Sequence, residues 1–167
     1  MPAGCVAGAA MWTEADVRRL LAEFGEDLGL DGFALDGAGH CRLLFDGELE
    51  VDIDYDPQPH LLRLTARLGR PRPEALGDLC EALLRANGFM HDTGIALGME
   101  AAADGAGQIL QLAVLPLAGL DRAGFEARLE GFARMGLDWR LAVAAAGPAT
   151  DRPATDRAVT ATPGMLV

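Results

Sequence analysis

One helix-period segment, three strand-period segments, a second helix, two more strands and a third helix follow one another along this chain, and each segment is amphipathic. Strands gathered in runs between helices, rather than alternating with them singly, predict an α+β domain on an antiparallel sheet. No nucleophile, metal cluster or phosphate-binding loop interrupts this α-β-β-β-α-β-β-α order. Such a chain builds surfaces rather than chemistry. It reads as a binding protein.

The first helix has a defined start. Thr13 followed by Asp16 is a capping-box variant, and Trp12 and Val17 occupy the two positions of a hydrophobic staple. Val17, Leu20, Leu21, Phe24 and Leu28 then form one apolar face, with Arg18, Arg19, Glu23 and Asp27 off it. Gly29 supplies a stop.

From Cys41 the period falls to 2. Cys41, Leu43 and Phe45 alternate with Arg42 and Leu44, and Asp46-Gly47 is a two-residue hairpin signal. Leu49, Val51, Ile53 and Tyr55 face one side of the next strand, and Glu48, Glu50, Asp52, Asp54 and Asp56 the other. After Pro57-Gln58-Pro59, the third strand sets Leu62, Leu64, Ala66 and Leu68 against Arg63, Thr65 and Arg67. A turn centred on Pro57 and Gln58 would place Asp52 opposite Arg63 and Glu48 opposite Arg67.

The alternating acids resemble the start of a calcium loop, but Pro57 stands at the glycine position of such a loop and Arg63 at its final glutamate. A solvated strand face is the better reading. His40, Cys41 and His60 lack zinc spacing, and Cys80 falls on the apolar face of the second helix, where a thiol packs. Neither a cofactor nor a catalytic residue is expected.

The second helix opens near Pro73 and carries a wide stripe of Leu76, Leu79, Cys80, Leu83 and Leu84 before Asn87-Gly88 ends it. Two strands follow, over residues 95–99 and 108–115, separated by a small Gly-rich turn at 104–107. Leu120-Asp121 opens the third helix with a staple to Phe125; Gly124, Gly131 and Gly136 inside it weaken its intrinsic propensity, so it must depend on docking. Beyond about residue 142 patterning stops. Ala149-Thr150-Asp151-Arg152 recurs as Ala154-Thr155-Asp156-Arg157 amid Pro, Ala and Thr. The expected organisation is a flexible extension over 1–11, one domain over 12–141 and a disordered, dispensable tail over 142–167.

At 167 residues one domain with a real core is the natural outcome. The net charge of −11 argues against nucleic acid, whose phosphates require a concentrated positive field. The longest apolar runs fall well short of the ~20 residues of a membrane helix. Three cysteines without close spacing suit reduced thiols and the cytoplasm.

Several stretches resemble the class I type III secretion chaperones, the Tir-chaperone (CesT-like) family. These are Leu79-Cys80-Glu81-Ala82-Leu83-Leu84-Arg85-Ala86-Asn87, then Thr93-Gly94-Ile95-Ala96-Leu97-Gly98, and Leu115-Pro116-Leu117 ahead of Leu120-Asp121. The resemblance spans residues 13–140. It implies a cytoplasmic, virulence-associated homodimer without enzymatic activity, holding the N-terminal chaperone-binding segment of a secreted effector soluble, partly unfolded and ready for export. The ATPase of the secretion apparatus would be a further partner. The same resemblance implies dimerisation through the second helix and its neighbouring strand, with Leu76, Leu79, Leu83, Leu84, Ile95, Leu97 and Met99 as candidates. Client grooves would involve the first helix and early strands, with Leu20, Phe24, Phe33, Leu35, Leu44 and Phe45 as candidates. The alternative is a regulator of the same fold without a secretion client.

Overall fold

Helix gives way to sheet where the period changes. The computed structural model describes residues 12–30, 32–101 and 107–146, and the backbone of 159–161. The extension 1–11, most of the turn after the fourth strand, and the rest of the tail lie outside the described residues. In order, the elements are α1 (Glu14–Asp27), β1 (His40–Phe45), β2 (Leu49–Asp56), β3 (Leu61–Gly69), α2 (Leu76–Asn87), α3 (Met90–Thr93), β4 (Ile95–Ala101), β5 (Gly107–Pro116), α4 (Arg122–Ala145) and β6 (Val159–Ala161). The predicted α+β order holds, with α3 and β6 added. The sheet runs β4-β5-β3-β2-β1-β6; its first five strands are antiparallel, and β6 joins β1 in parallel.

The capping box forms as its spacing predicts. The Thr13 amide donates to Asp16 Oδ2 at 2.9 Å and the Asp16 amide to Thr13 Oγ1 at 3.3 Å. The Thr13 hydroxyl, donating to Asp16 Oδ2 at 2.7 Å, and then the Thr13 amide hold the Asp16 carboxyl below its ordinary pKa. Arg18 ties α1 to the segment before β1, donating to the Leu35 carbonyl at 2.6 Å and the Asp36 carbonyl at 2.8 Å.

Two turns differ from expectation. Asp46 (φ 55°) and Gly47 (φ 69°) form a left-handed turn closed by the Glu48 amide on the Phe45 carbonyl at 2.9 Å. Phe45 nevertheless pairs with Leu49, which leaves Glu48 outside the ladder. The β2–β3 turn occupies residues 57–60 instead of centring on Pro57 and Gln58, so the register moves by two. Asp54, not Asp52, lies opposite Arg63, and Asp52 lies opposite Thr65.

Helix α4 lies across β2, β3 and β5, and α1 packs against α4. Phe24 links the layers, meeting Phe125 edge-on at 5.3 Å between centroids and Phe33 at 5.7 Å. At Gly136 a Cβ would stand 2.7 Å from Leu49 Cδ2, so the missing side chain permits the close approach of α4 to β2. The helix continues to Ala145, beyond the predicted limit at 141. Val143 is buried, and the Arg72 amide donates to the Ala146 carbonyl at 2.7 Å. The tail contributes one more element: Val159–Ala161 pairs with Leu43–Phe45, so these three residues are not patternless.

Candidate partner-binding surfaces

The sheet has one face under α4 and one face turned away from it, and the outer face divides by chemistry. Over β1 to β3 it is ionic. Asp52, only 8% exposed, receives Arg42 Nε at 2.6 Å and Arg67 Nη1 at 2.9 Å, while His40 Nδ1 stands 2.9 Å from Asp54 and Arg63 reaches Asp56 at 2.6 Å. The predicted solvated ladder is therefore a cross-strand ion network whose centre is covered by arginines. Among the described residues no cluster of His, Cys, Asp and Glu is arranged to hold a metal ion.

Towards β5 the outer face turns apolar, with Leu112 37% and Val114 50% exposed. Helix α2 lies against the neighbouring β4. Its stripe is wider than one contact can cover: Leu79 and Leu83 are buried, whereas Leu84, about 100° further round, is 72% exposed. Phe89 and Met90 follow it to the surface. Asn87 fixes the helix end to the strand, donating through Nδ2 to the Leu97 carbonyl at 2.7 Å and accepting the Leu97 amide at 2.8 Å. The side chain thus stands in for a strand partner at the free edge of β4. Of the dimer candidates, Leu84 and Met99 are exposed, Leu76 and Ile95 are half-buried, and Leu79, Leu83 and Leu97 are buried within the single chain.

A groove of about 480 Å³ opens between the start of β4, the end of β5 and α4. Ile95, Val114, Leu115 and Phe132 give it apolar walls, Gly131 leaves it open, and Arg128 and Asp92 contribute charge. A Cβ on Gly131 would meet nothing within 4 Å. Sequence reasoning missed this groove. The only signal was a small residue, Gly131, one helical turn after Ala127, and in the sequence Gly131 reads simply as weak helix propensity.

The client candidates are placed otherwise than grooves would require. Leu20, Phe24, Phe33, Leu35 and Phe45 belong to the core, and of the six only Leu44, on the outer face of β1, is partly exposed. Cys41 is also interior. Burial, then the charges of Asp54, Asp36 and Asp52, push its thiol pKa up to about 12, which holds it protonated and poorly nucleophilic.

An antiparallel sheet backed by helices, with exposed apolar side chains towards β5 and an ion network over β1 to β3, defines a small α+β protein. The Tir chaperone protein (CesT) family model matches residues 19–140, and the chain belongs to that family. Solved structures share the fold. One is the ExsC-ExsE complex (24% identity, TM-score 0.68), covering 84% of this chain and 100% of the other. A second is the HopA1-SchA chaperone-effector complex (18%, TM-score 0.63), covering 77% and 95%. A third is YbjN, a putative transcription regulator from E. coli (18%, TM-score 0.57), covering 83% and 96%. No curated protein matches the chain.

Proposed function

We propose that this protein is a class I type III secretion chaperone: a cytoplasmic, non-enzymatic homodimer that binds the N-terminal segment of a cognate effector and keeps it soluble and partly unfolded for export. The observation that carries the proposal is family membership over residues 19–140. The surface chemistry supports it, because Leu84, Leu112 and Val114 leave apolar area uncovered on a chain of net charge −11. Exposed apolar surface of this kind marks interaction sites, and the high charge keeps the assembly soluble. The groove beside Gly131 would take apolar side chains of an extended client, and main-chain bonding at a sheet edge would hold its backbone. Among the described residues no helix is long and apolar enough to cross a membrane.

The test is to co-purify the tagged protein from its own host, identify the bound polypeptide, and then delete the gene. The expected result is one secreted protein captured through its N-terminal segment and lost from export in the deletion strain. If no secreted protein is captured and the stability and export of every effector are unchanged, the chaperone reading is wrong. The likeness to YbjN gives the regulator its place as the second reading. It would be favoured by that negative result together with altered transcript levels in the deletion strain.

A further inference from the structure

The groove between α4 and the start of β4 carries a positive charge that its own chain leaves unanswered. Arginines on the helices of this protein are mostly paired within their helix: Arg18 with Glu14, Arg19 with Asp16, Arg85 with Glu81, Arg122 with Glu126 and Arg134 with Glu130. Each acid stands three or four positions from its arginine, where helix side chains meet. Arg128 lies between the last two pairs and is exposed. The positions three and four residues from it hold Gly124, Phe125, Gly131 and Phe132, none of them acidic. The acids nearest to it in sequence, Glu126 and Glu130, are taken by Arg122 and Arg134. Among the described residues Arg128 has no ion pair, and it lines the groove. Arg140 shares the lack of a neighbouring acid but does not line the groove.

The rest of the groove suits a bulky apolar side chain. Ile95, Leu115 and Phe132 wall it, and the small side of α4 at Ala127 and Gly131 keeps it open. Its volume of about 480 Å³ falls within the range of ligand clefts, roughly 300–1,000 Å³. Its charge is asymmetric: Arg128 stands on the α4 side, and Asp92 on the α3 side, with His91 Nε2 3.1 Å from Asp92 Oδ1. We infer that Arg128 determines specificity: the groove takes an extended client segment in which a bulky apolar side chain has an Asp or Glu beside it, the apolar group between α4 and β4 and the carboxylate on Arg128. This rests on the chaperone reading and names the client chemistry for one of its surfaces. A guanidinium can donate two parallel hydrogen bonds to a carboxylate, which fixes direction as well as charge. Asp92 sets the polarity of the segment, since it repels an acid laid towards α3. The net charge of −11 opposes an acidic client at long range, but the Debye length at physiological ionic strength is about 8 Å. At the groove, the near charge of Arg128 decides.

The experiment uses the full chain and two synthetic peptides, identical except that a Phe-Leu anchor is followed by two aspartates in one and by two lysines in the other. In NMR titrations the aspartate peptide should shift the Ile95 and Gly131 amides and bind about fivefold tighter than the lysine peptide, the measure of one well-made surface ion pair. The preference should shrink as salt is added. Arg128→Glu should invert it with an unchanged circular dichroism spectrum, since the position is exposed. Asp92→Asn should tighten the aspartate peptide. Gly131→Leu, which fills the groove from a position where a Cβ meets nothing within 4 Å, should weaken both peptides about tenfold. Equal binding of the two peptides, a preference that survives Arg128→Glu, or no shifts at Ile95 and Gly131 overturns the proposal. The captured effector's N-terminal segment should then lose about fivefold in affinity with Arg128→Glu and about tenfold with Gly131→Leu. An effector segment unmoved by both variants overturns the assignment of the groove to the client. Failure to capture any effector while the peptide preference holds is a different result: it supports the chemistry of the groove and overturns the chaperone reading.

Discussion

At the scale of single residues, glycines and a thiol carry most of the information. Gly131 and Gly136 sit in the same helix, yet a Cβ at Gly131 meets open space and one at Gly136 meets Leu49 Cδ2 at 2.7 Å. Gly131→Ala should stabilise the protein by up to about 1 kcal/mol through helix propensity. Gly136→Ala should destabilise it, because overpacking costs about 1–3 kcal/mol and the propensity gain returns at most about 1. Urea unfolding of both variants checks the opposite signs. Cys41 predicts a pH dependence. Its thiol has an ordinary pKa of 9.0 in the unfolded chain and about 12 in the folded one. The stability that comes from keeping it neutral is fully present below pH 9 and is lost as pH rises from there towards 12. Between pH 8 and 10 the native protein should lose on the order of 1.4 kcal/mol more than Cys41→Ala, since one pKa unit is worth about that much. Equal losses in the two proteins would show that Cys41 is open to solvent.

At the scale of elements, hydrophobic faces decide what a substitution does. Phe24 is 1% exposed and touches both Phe33 and Phe125, so Phe24→Asp buries an unpaired carboxylate in the aromatic centre of the core. Loss of the folded state is expected, seen as a collapsed melting transition in circular dichroism. Leu44→Asp changes a half-exposed position on the outer face of β1 and should fold, so any effect on client capture reflects the surface. This contrast also shows what was legible in the sequence. Alternation of Cys41, Leu43 and Phe45 identified the strand and its inner face, because period alone determines which side a residue takes. It could not separate a groove from a core, because Phe24 and Leu20 satisfy both with the same pattern. Register was lost for a different reason: four turn residues at 57–60 rather than two move every β2–β3 pair by two positions while keeping each residue on its predicted face. Asp52 therefore remained on the outer face but gained Arg42 and Arg67 in place of Arg63. The strand at Val159–Ala161 was illegible for want of length, since three residues show no period.

At the scale of the whole molecule, Leu84, Leu112 and Val114 leave apolar surface that a second copy of the chain could cover. We propose that α2 and its neighbouring strands form a two-fold interface burying on the order of 2,000 Å² in total. Light scattering should then give twice the 17.5 kDa chain mass at micromolar concentration. The single-chain packing now selects the variant that tests this. Leu83 is 5% exposed and Leu84 is 72% exposed, although the two are neighbours on one helix. Leu83→Asp should unfold the chain, because the charge enters its own core. Leu84→Asp should leave the chain folded, with an unchanged circular dichroism spectrum, and should shift the mass to that of a monomer. Net charge adds a second signature. Each chain carries −11, so association doubles the charge held in one particle, and this repulsion is screened by salt. The dimer should therefore tighten as ionic strength rises from about 0.01 to 0.15 M, over which the Debye length falls from about 30 to 8 Å. A monomeric native protein, or a Leu84→Asp variant that remains dimeric, would place the interface elsewhere and leave Leu84, Leu112 and Val114 to the client.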